Sequence, residues 1–157
     1  MSRNKGGAGQ LTGTAGTYYV MAQLAARGYH ASCTFGNAPN VDILVASADG
    51  GRLISIQVKT ANEARRGNPV KELQWMLGLK AAKQSNPHLF FAFVDFKSLD
   101  ATTPPDVYVI PSAWIKEYCA SWVDKVKWVR FHVSPQNVQQ FKNNWNLIRS
   151  TLEQATV

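Results

Sequence analysis

Three side chains of different chemistry fall close together when the middle of the sequence is laid out as strands. Over 52–60, Ile54, Ile56 and Val58 alternate with Ser55, Gln57 and Lys59, so Gln57 and Lys59 project from one face. In the run before it, 41–47, Asp42 is an acidic residue between Val41 and Ile43. Asp49-Gly50-Gly51 between the two runs is a hairpin signal. A turn centred on Gly50 brings Asp42 roughly opposite the Gln57–Lys59 end, and a carboxylate, an amide oxygen and an ammonium then converge. Phosphodiester hydrolysis needs such a set. A hard oxygen ligand holds Mg²⁺. The metal polarises phosphate and lowers the pKa of the attacking water. A nearby cation stabilises the charge developing on phosphate. The same spacing also fits an edge strand whose Ser55, Gln57 and Lys59 face solvent, with Asp42 as a turn or capping residue. Spacing alone leaves both readings open.

The elements that must hold these residues follow from periodicity. Thr17, Val20, Met21 and Leu24 form one stripe of a helix expected over 12–27, which Gly28 stops. Strands are expected at 29–35, 41–47 and 52–60, with a turn at Gly36-Asn-Ala-Pro-Asn40 between the first two. A polar, partly basic loop covers 61–72, a short extended piece 75–77 and a helix 79–85. Leu89-Phe-Phe-Ala-Phe-Val-Asp-Phe96 is apolar on both faces and reads as an interior strand. After Pro104-Pro105 comes a strand at 106–110, and Pro111-Ser112 opens a helix running to about residue 122. The tail, from Lys125 onward, reads as a strand and one or two short helices. The order predicts an α/β sandwich around a mixed sheet.

Composition bounds the rest. The chain has 157 residues with a hydrophobic fraction of 45%, enough for one domain with a real core. Residues 1–10 read as a flexible arm carrying Arg3 and Lys5, and 11–157 as a single domain. The formal net charge of +7 suits a polyanionic partner, though proteins that bind no nucleic acid often carry as much. Cys33 and Cys119 form neither a disulfide framework nor a zinc spacing and read as reduced core thiols. His30, His88 and His132 show no ligand spacing. The N-terminal stretch has no apolar run and nothing approaches a membrane span, so no membrane association is expected and the cytoplasm is the default location. Gly6-Gly7…Gly16 lacks the Lys-Ser/Thr of a phosphate loop, and no nucleophile elbow is present.

Gly13-Thr-Ala-Gly-Thr-Tyr-Tyr-Val20, Leu24, Gly28-Tyr29, Gly36-Asn37, Val41-Asp-Ile43 and Ile56-Gln-Val-Lys-Thr60 resemble the core of the PD-(D/E)xK nuclease superfamily. The likeness is to a small bacterial branch with Gln at the second acidic position. Trp75, Leu77, Lys80, the aromatic run 89–96 and Val109-Ile-Pro-Ser112 extend it, so that it covers roughly 10–115. It implies a restriction-endonuclease-like core and a metal-dependent DNA endonuclease or resolvase-like enzyme. Asp42, Gln57 and the Val58 carbonyl would hold Mg²⁺ or Mn²⁺, and Lys59 would be the catalytic lysine. Thr60 and Lys80 would touch phosphate. A homodimer is expected by analogy, since nucleases of this fold pair two sites to cut two strands.

One position departs from the pattern. Relatives commonly carry Glu where Thr17 stands, on the stripe facing the sheet. Asp42 is then the one carboxylate among the matched positions, so metal should bind weakly without substrate. Glu63 and Glu72 are candidates to replace the missing acid, and a catalytically silent nucleic-acid-binding module is the alternative function. Arg65, Arg66 and Lys71 of the basic loop are candidates for the phosphate backbone or for a solvated surface. The tryptophans Trp75, Trp114, Trp122, Trp128 and Trp145 are candidates for base stacking or for core.

Overall fold

A computed structural model describes residues 5–34, 41–99 and 102–153, with side chains from residue 9. Helix α1 spans Lys5–Ala25. Strands β1 (His30–Cys33), β2 (Ile43–Ala46) and β3 (Leu53–Ala61) follow. Then come β4 (Arg65–Arg66), β5 (Glu72–Met76), α2 (Leu79–Lys83), β6 (Leu89–Asp95), β7 (Asp106–Pro111) and α3 (Ser112–Cys119). The tail adds β8 (Arg130–Val133), α4 (Pro135–Val138) and α5 (Asn146–Glu153). The α/β architecture agrees with the sequence. The main differences are a helix that starts at Lys5, inside the stretch expected as an arm, and a two-residue strand inside the basic loop. The turn expected at 36–40, the end of the first strand at Phe35 and Arg3 lie outside the described residues.

Five strands form the main sheet in the order β1-β2-β3-β6-β7. Only β3 and β6 run parallel. Every residue of β6 is buried, as its two-sided apolar pattern requires. On one face Val20 and Leu24 of α1 pack with Ile43, Val45, Ile54, Ile56, Phe90, Ala92 and Val94. Trp145, Ile148 and Leu152 close that side. On the other face a second sheet, β4-β5-β8, covers Phe91 and Phe93 with Leu73, Trp75 and Phe131. The Trp75 indole N–H donates to the Val94 carbonyl at 2.9 Å, so its polar atom is satisfied within the core. Among the described residues no helix is long and apolar enough to cross a membrane.

Helix α1 approaches β3 closely at one point. Gly16 is buried on the stripe of Val20 and Leu24. A Cβ built there would lie 1.9 Å from Thr60 Oγ1 and 2.9 Å from its Cβ and Cγ2. Glycine is therefore required by the contact, not by the helix. At the other end Gly28, with φ +84°, takes the left-handed conformation that ends the helix. Gly16→Ala should cost about 1–3 kcal/mol in urea unfolding, and Thr60→Ala in the same chain should recover part of it. A Gly16→Ala variant as stable as the parent would contradict this packing.

Candidate functional site

Strand β3 has two differently occupied edges. Ser55 N–H donates to the His88 carbonyl at 2.8 Å, so odd-numbered backbone groups point to the β6 side. Even-numbered groups point to β2, where the Ile56 carbonyl accepts Asp42 N–H at 2.9 Å. The β2 ladder ends at Ile43↔Ile56, while β3 continues along β6 to Ala61↔Asp95. Among the described residues, the β2 side of residues 57–61 thus has no strand partner beyond Asp42. Asp42 fills the first vacancy with its side chain: Oδ2 accepts Val58 N–H at 2.7 Å. The two-residue repeat points the Val58 carbonyl to the same side.

Extending the register by one residue sets Asp42 opposite Gln57. Ile43 and Val45 are fully buried on the α1 face, so Asp42 belongs to the opposite face, with Gln57 and Lys59. The three residues singled out from spacing are brought to one end of the β2–β3 pair. Asp42 is half-buried and keeps Oδ1 free of hydrogen bonds to described residues. Gln57 is 7% exposed, and among the described residues its Oε1 has no hydrogen-bond partner. An unpaired buried amide oxygen costs about 1–3 kcal/mol, so it calls for an explanation. Lys59 is half-buried. Burial of its ammonium pushes the amine below the ordinary lysine value, and the Asp42 charge pulls it part of the way back.

A cavity of about 340 Å³ opens at this end of the sheet, lined by Asp42, Val58 and Thr34 on the strand side and by Gln10, Thr14 and Thr17 on α1. Thr17 does face the site, as its stripe predicts. Its hydroxyl donates to the Gly13 carbonyl at 3.2 Å and adds no charge. Gln57 and Lys59 do not line the cavity, because they lie on the far face of β3. Only the Asp42 carboxylate, at the strand edge, is shared between the two sides.

The outlying candidates fall elsewhere. Thr60 is turned under α1, its hydroxyl buried against Gly16 and unpartnered, so it is withheld from phosphate. Glu63 does not replace the missing acid. It grips Arg65 through two bonds, Nε–Oε1 at 2.7 Å and Nη2–Oε2 at 3.0 Å, and accepts Ser98 Oγ at 2.7 Å. Glu72 is held by His132 Nδ1 at 2.9 Å. Arg65 is thereby committed within the protein, with Asp95 Oδ2 also 3.6 Å away. Arg66 bends back to the Glu63 and Arg65 carbonyls, while Lys71 is exposed. Lys80 is exposed on α2, which packs against α3. Among the described residues no three His, Cys, Asp or Glu side chains cluster as a metal site.

Sequence reasoning passed over Asp95. It is 1% exposed and accepts the backbone N–H of Ala64 at 2.9 Å and of Lys97 at 3.0 Å, tying the loops after β3 and β6 together. Its signal is an acid closing an otherwise apolar strand.

No family model matches the chain, and no curated protein does. Among solved structures it is similar to a bacterial homing endonuclease, I-Ssp6803I. The TM-score is 0.58 at 14% identity, over 94% of this chain and 92% of that one. The chain has an endonuclease-like fold. The likeness spans nearly the whole length.

Two measurements probe this geometry. Gln57→Met removes the unpaired oxygen at similar volume, so stability should stay within about 1 kcal/mol or rise; a loss of more than about 2 kcal/mol would show that the amide is satisfied after all. The Arg65 hydrogen bonds hold the Glu63 carboxyl at about 2, below its ordinary 4.5. A depressed carboxylate stabilises the fold above 4.5, and that contribution is lost as pH falls toward 2. Glu63→Gln should flatten the acid limb of the stability curve in that window only. The effect should be modest, because Glu63 is 35% exposed and water screens the pair.

Proposed function

We propose that this chain is a metal-dependent DNA endonuclease or resolvase-like phosphodiesterase of the PD-(D/E)xK type, with Asp42, Gln57 and Lys59 as its active site. The observation that carries the reading is the buried, unpartnered Gln57 Oε1 set opposite the Asp42 carboxylate at the free edge of β3. An oxygen left without a partner at a strain of this size fits a ligand that arrives later. The endonuclease-like fold adds support.

The donor set fits a hard divalent cation. Asp42, Gln57 Oε1 and the Val58 carbonyl would hold Mg²⁺ or Mn²⁺, all through oxygen. With one carboxylate among them, binding would be weak until phosphate oxygens join. When bound, the metal supplies charge against the phosphate and acidifies the attacking water. Lys59 carries the cation for the developing phosphate charge. Burial lowers its pKa and the Asp42 charge opposes that shift, and a phosphate anion nearby would oppose it further. Asp42 has two tasks: Oδ2 fixes Val58 and so the carbonyl, and Oδ1 remains for ligand.

One observation favours a catalytically silent nucleic-acid-binding module instead: Thr17 lines the cavity where relatives place Glu, and Glu63 and Glu72 are engaged elsewhere. Incubation with plasmid, single-stranded and branched DNA in Mg²⁺ or Mn²⁺ separates the two. The nuclease reading expects metal-dependent cutting that Asp42→Ala and Lys59→Ala each reduce about a hundredfold or more. Cutting undiminished in both variants would refute it. DNA binding without cutting under any metal would support the module.

A further inference from the structure

Four of the five tryptophans serve the core. Trp75 and Trp145 are buried in the cores on the two faces of the sheet, and Trp114 and Trp122 are half-buried against the core that holds Trp75. Trp128 is the exception, with 79% of its surface exposed. It stands in the segment Lys125-Val-Lys-Trp-Val-Arg130, which is firmly anchored. Val129 is 1% exposed, and its carbonyl accepts Leu77 N–H at 3.1 Å and Gly78 N–H at 3.2 Å. Arg130 pairs with Met76 across β8 and β5. Trp128 lies directly before this anchor, so its exposed indole stands at a fixed place, not on a loose loop.

Cations flank it in the sequence. Lys125, Lys127 and Arg130 are exposed, and so is Lys80, two residues beyond Gly78. None of the four forms an ion pair with a described residue. The adjacent acid, Asp124, is taken by Lys83. Uncompensated cations alone fit any polyanion. An exposed indole among them fits a polyanion that also carries flat rings.

We propose that Trp128 with Lys125, Lys127, Arg130 and Lys80 forms a landing surface for a nucleic-acid strand, an unpaired base stacking on the indole and phosphates meeting the cations. The proposal rests on the nuclease reading for the nature of the polymer and adds where the strand lies. The surface belongs to the sheet that covers the Lys59 face. Trp75 of β5 has its ring 5.3 Å from that of Phe93, the β6 partner of Lys59. A strand held at β8 is thus held by the layer that borders the candidate site.

The test measures binding of the full chain to labelled oligo(dT) and to a duplex of equal length, in EDTA so that no cutting occurs. Trp128→Ala should weaken oligo(dT) binding roughly tenfold and duplex binding far less. Trp128→Phe should retain most of it. Lys125→Gln with Lys127→Gln should lower the slope of log affinity against log salt by about one. Unfolding midpoints should not move, since the side chains are exposed. Equal affinity of Trp128→Ala and parent for oligo(dT) would overturn the proposal, as would an equal loss on both DNAs. The two readings fail separately. Trp128-dependent binding without cutting in Mn²⁺ sinks the nuclease and leaves the surface, whereas cutting that survives with Trp128-independent binding does the reverse.

Discussion

The structure depends on β6 being buried on both faces. A strand with no solvent face must lie inside a sheet that is covered twice. That requirement sets α1 and α5 on one side and the β4-β5-β8 sheet on the other. It also fixes β3 as the parallel neighbour of β6 over its whole length, while β2 pairs only with the first part of β3. The unmatched remainder of β3 is an interior strand with one open backbone edge. Asp42 stands where that edge begins, and its carboxylate serves as the strand partner that β2 no longer provides.

This origin explains the mixed character of the site. Asp42 has a structural task that any capping carboxylate could perform, so its hydrogen bond to Val58 does not argue for catalysis. Gln57 and Lys59 argue differently. A polar oxygen left without a partner and an ammonium taken partly out of water both cost stability. Neither is needed to close the sheet, and an apolar residue at 57 would serve packing better. Costs of this kind gather where a ligand is to be bound.

Much of this was legible in the sequence. The alternation of 54–59, the Asp-Gly-Gly turn and the two-sided apolar run 89–96 together point to a β2–β3 hairpin beside an interior strand. Thr17 lines the same cavity as Asp42. Other features were not legible because they depend on partners remote in sequence. That Arg65 is spent on Glu63 and Asp95 needs the loops after β3 and β6 to be side by side. That Thr60 turns under α1 needs the near contact at Gly16. That Trp128 alone is exposed needs the register of β8 on β5. Helix α1 begins at Lys5 although Gly6, Gly7 and Gly9 weaken local helix propensity there.

The central claim is that oxygens of Asp42, Gln57 and Val58 form one ligand set beside Lys59. Mn²⁺ located by anomalous diffraction in a complex of this chain with uncut DNA tests it most directly. One ion is expected in contact with an Asp42 carboxylate oxygen, Gln57 Oε1, the Val58 carbonyl and a phosphate oxygen. An ion bound elsewhere on the chain, or a complex in which Gln57 Oε1 stays unpartnered, would contradict it.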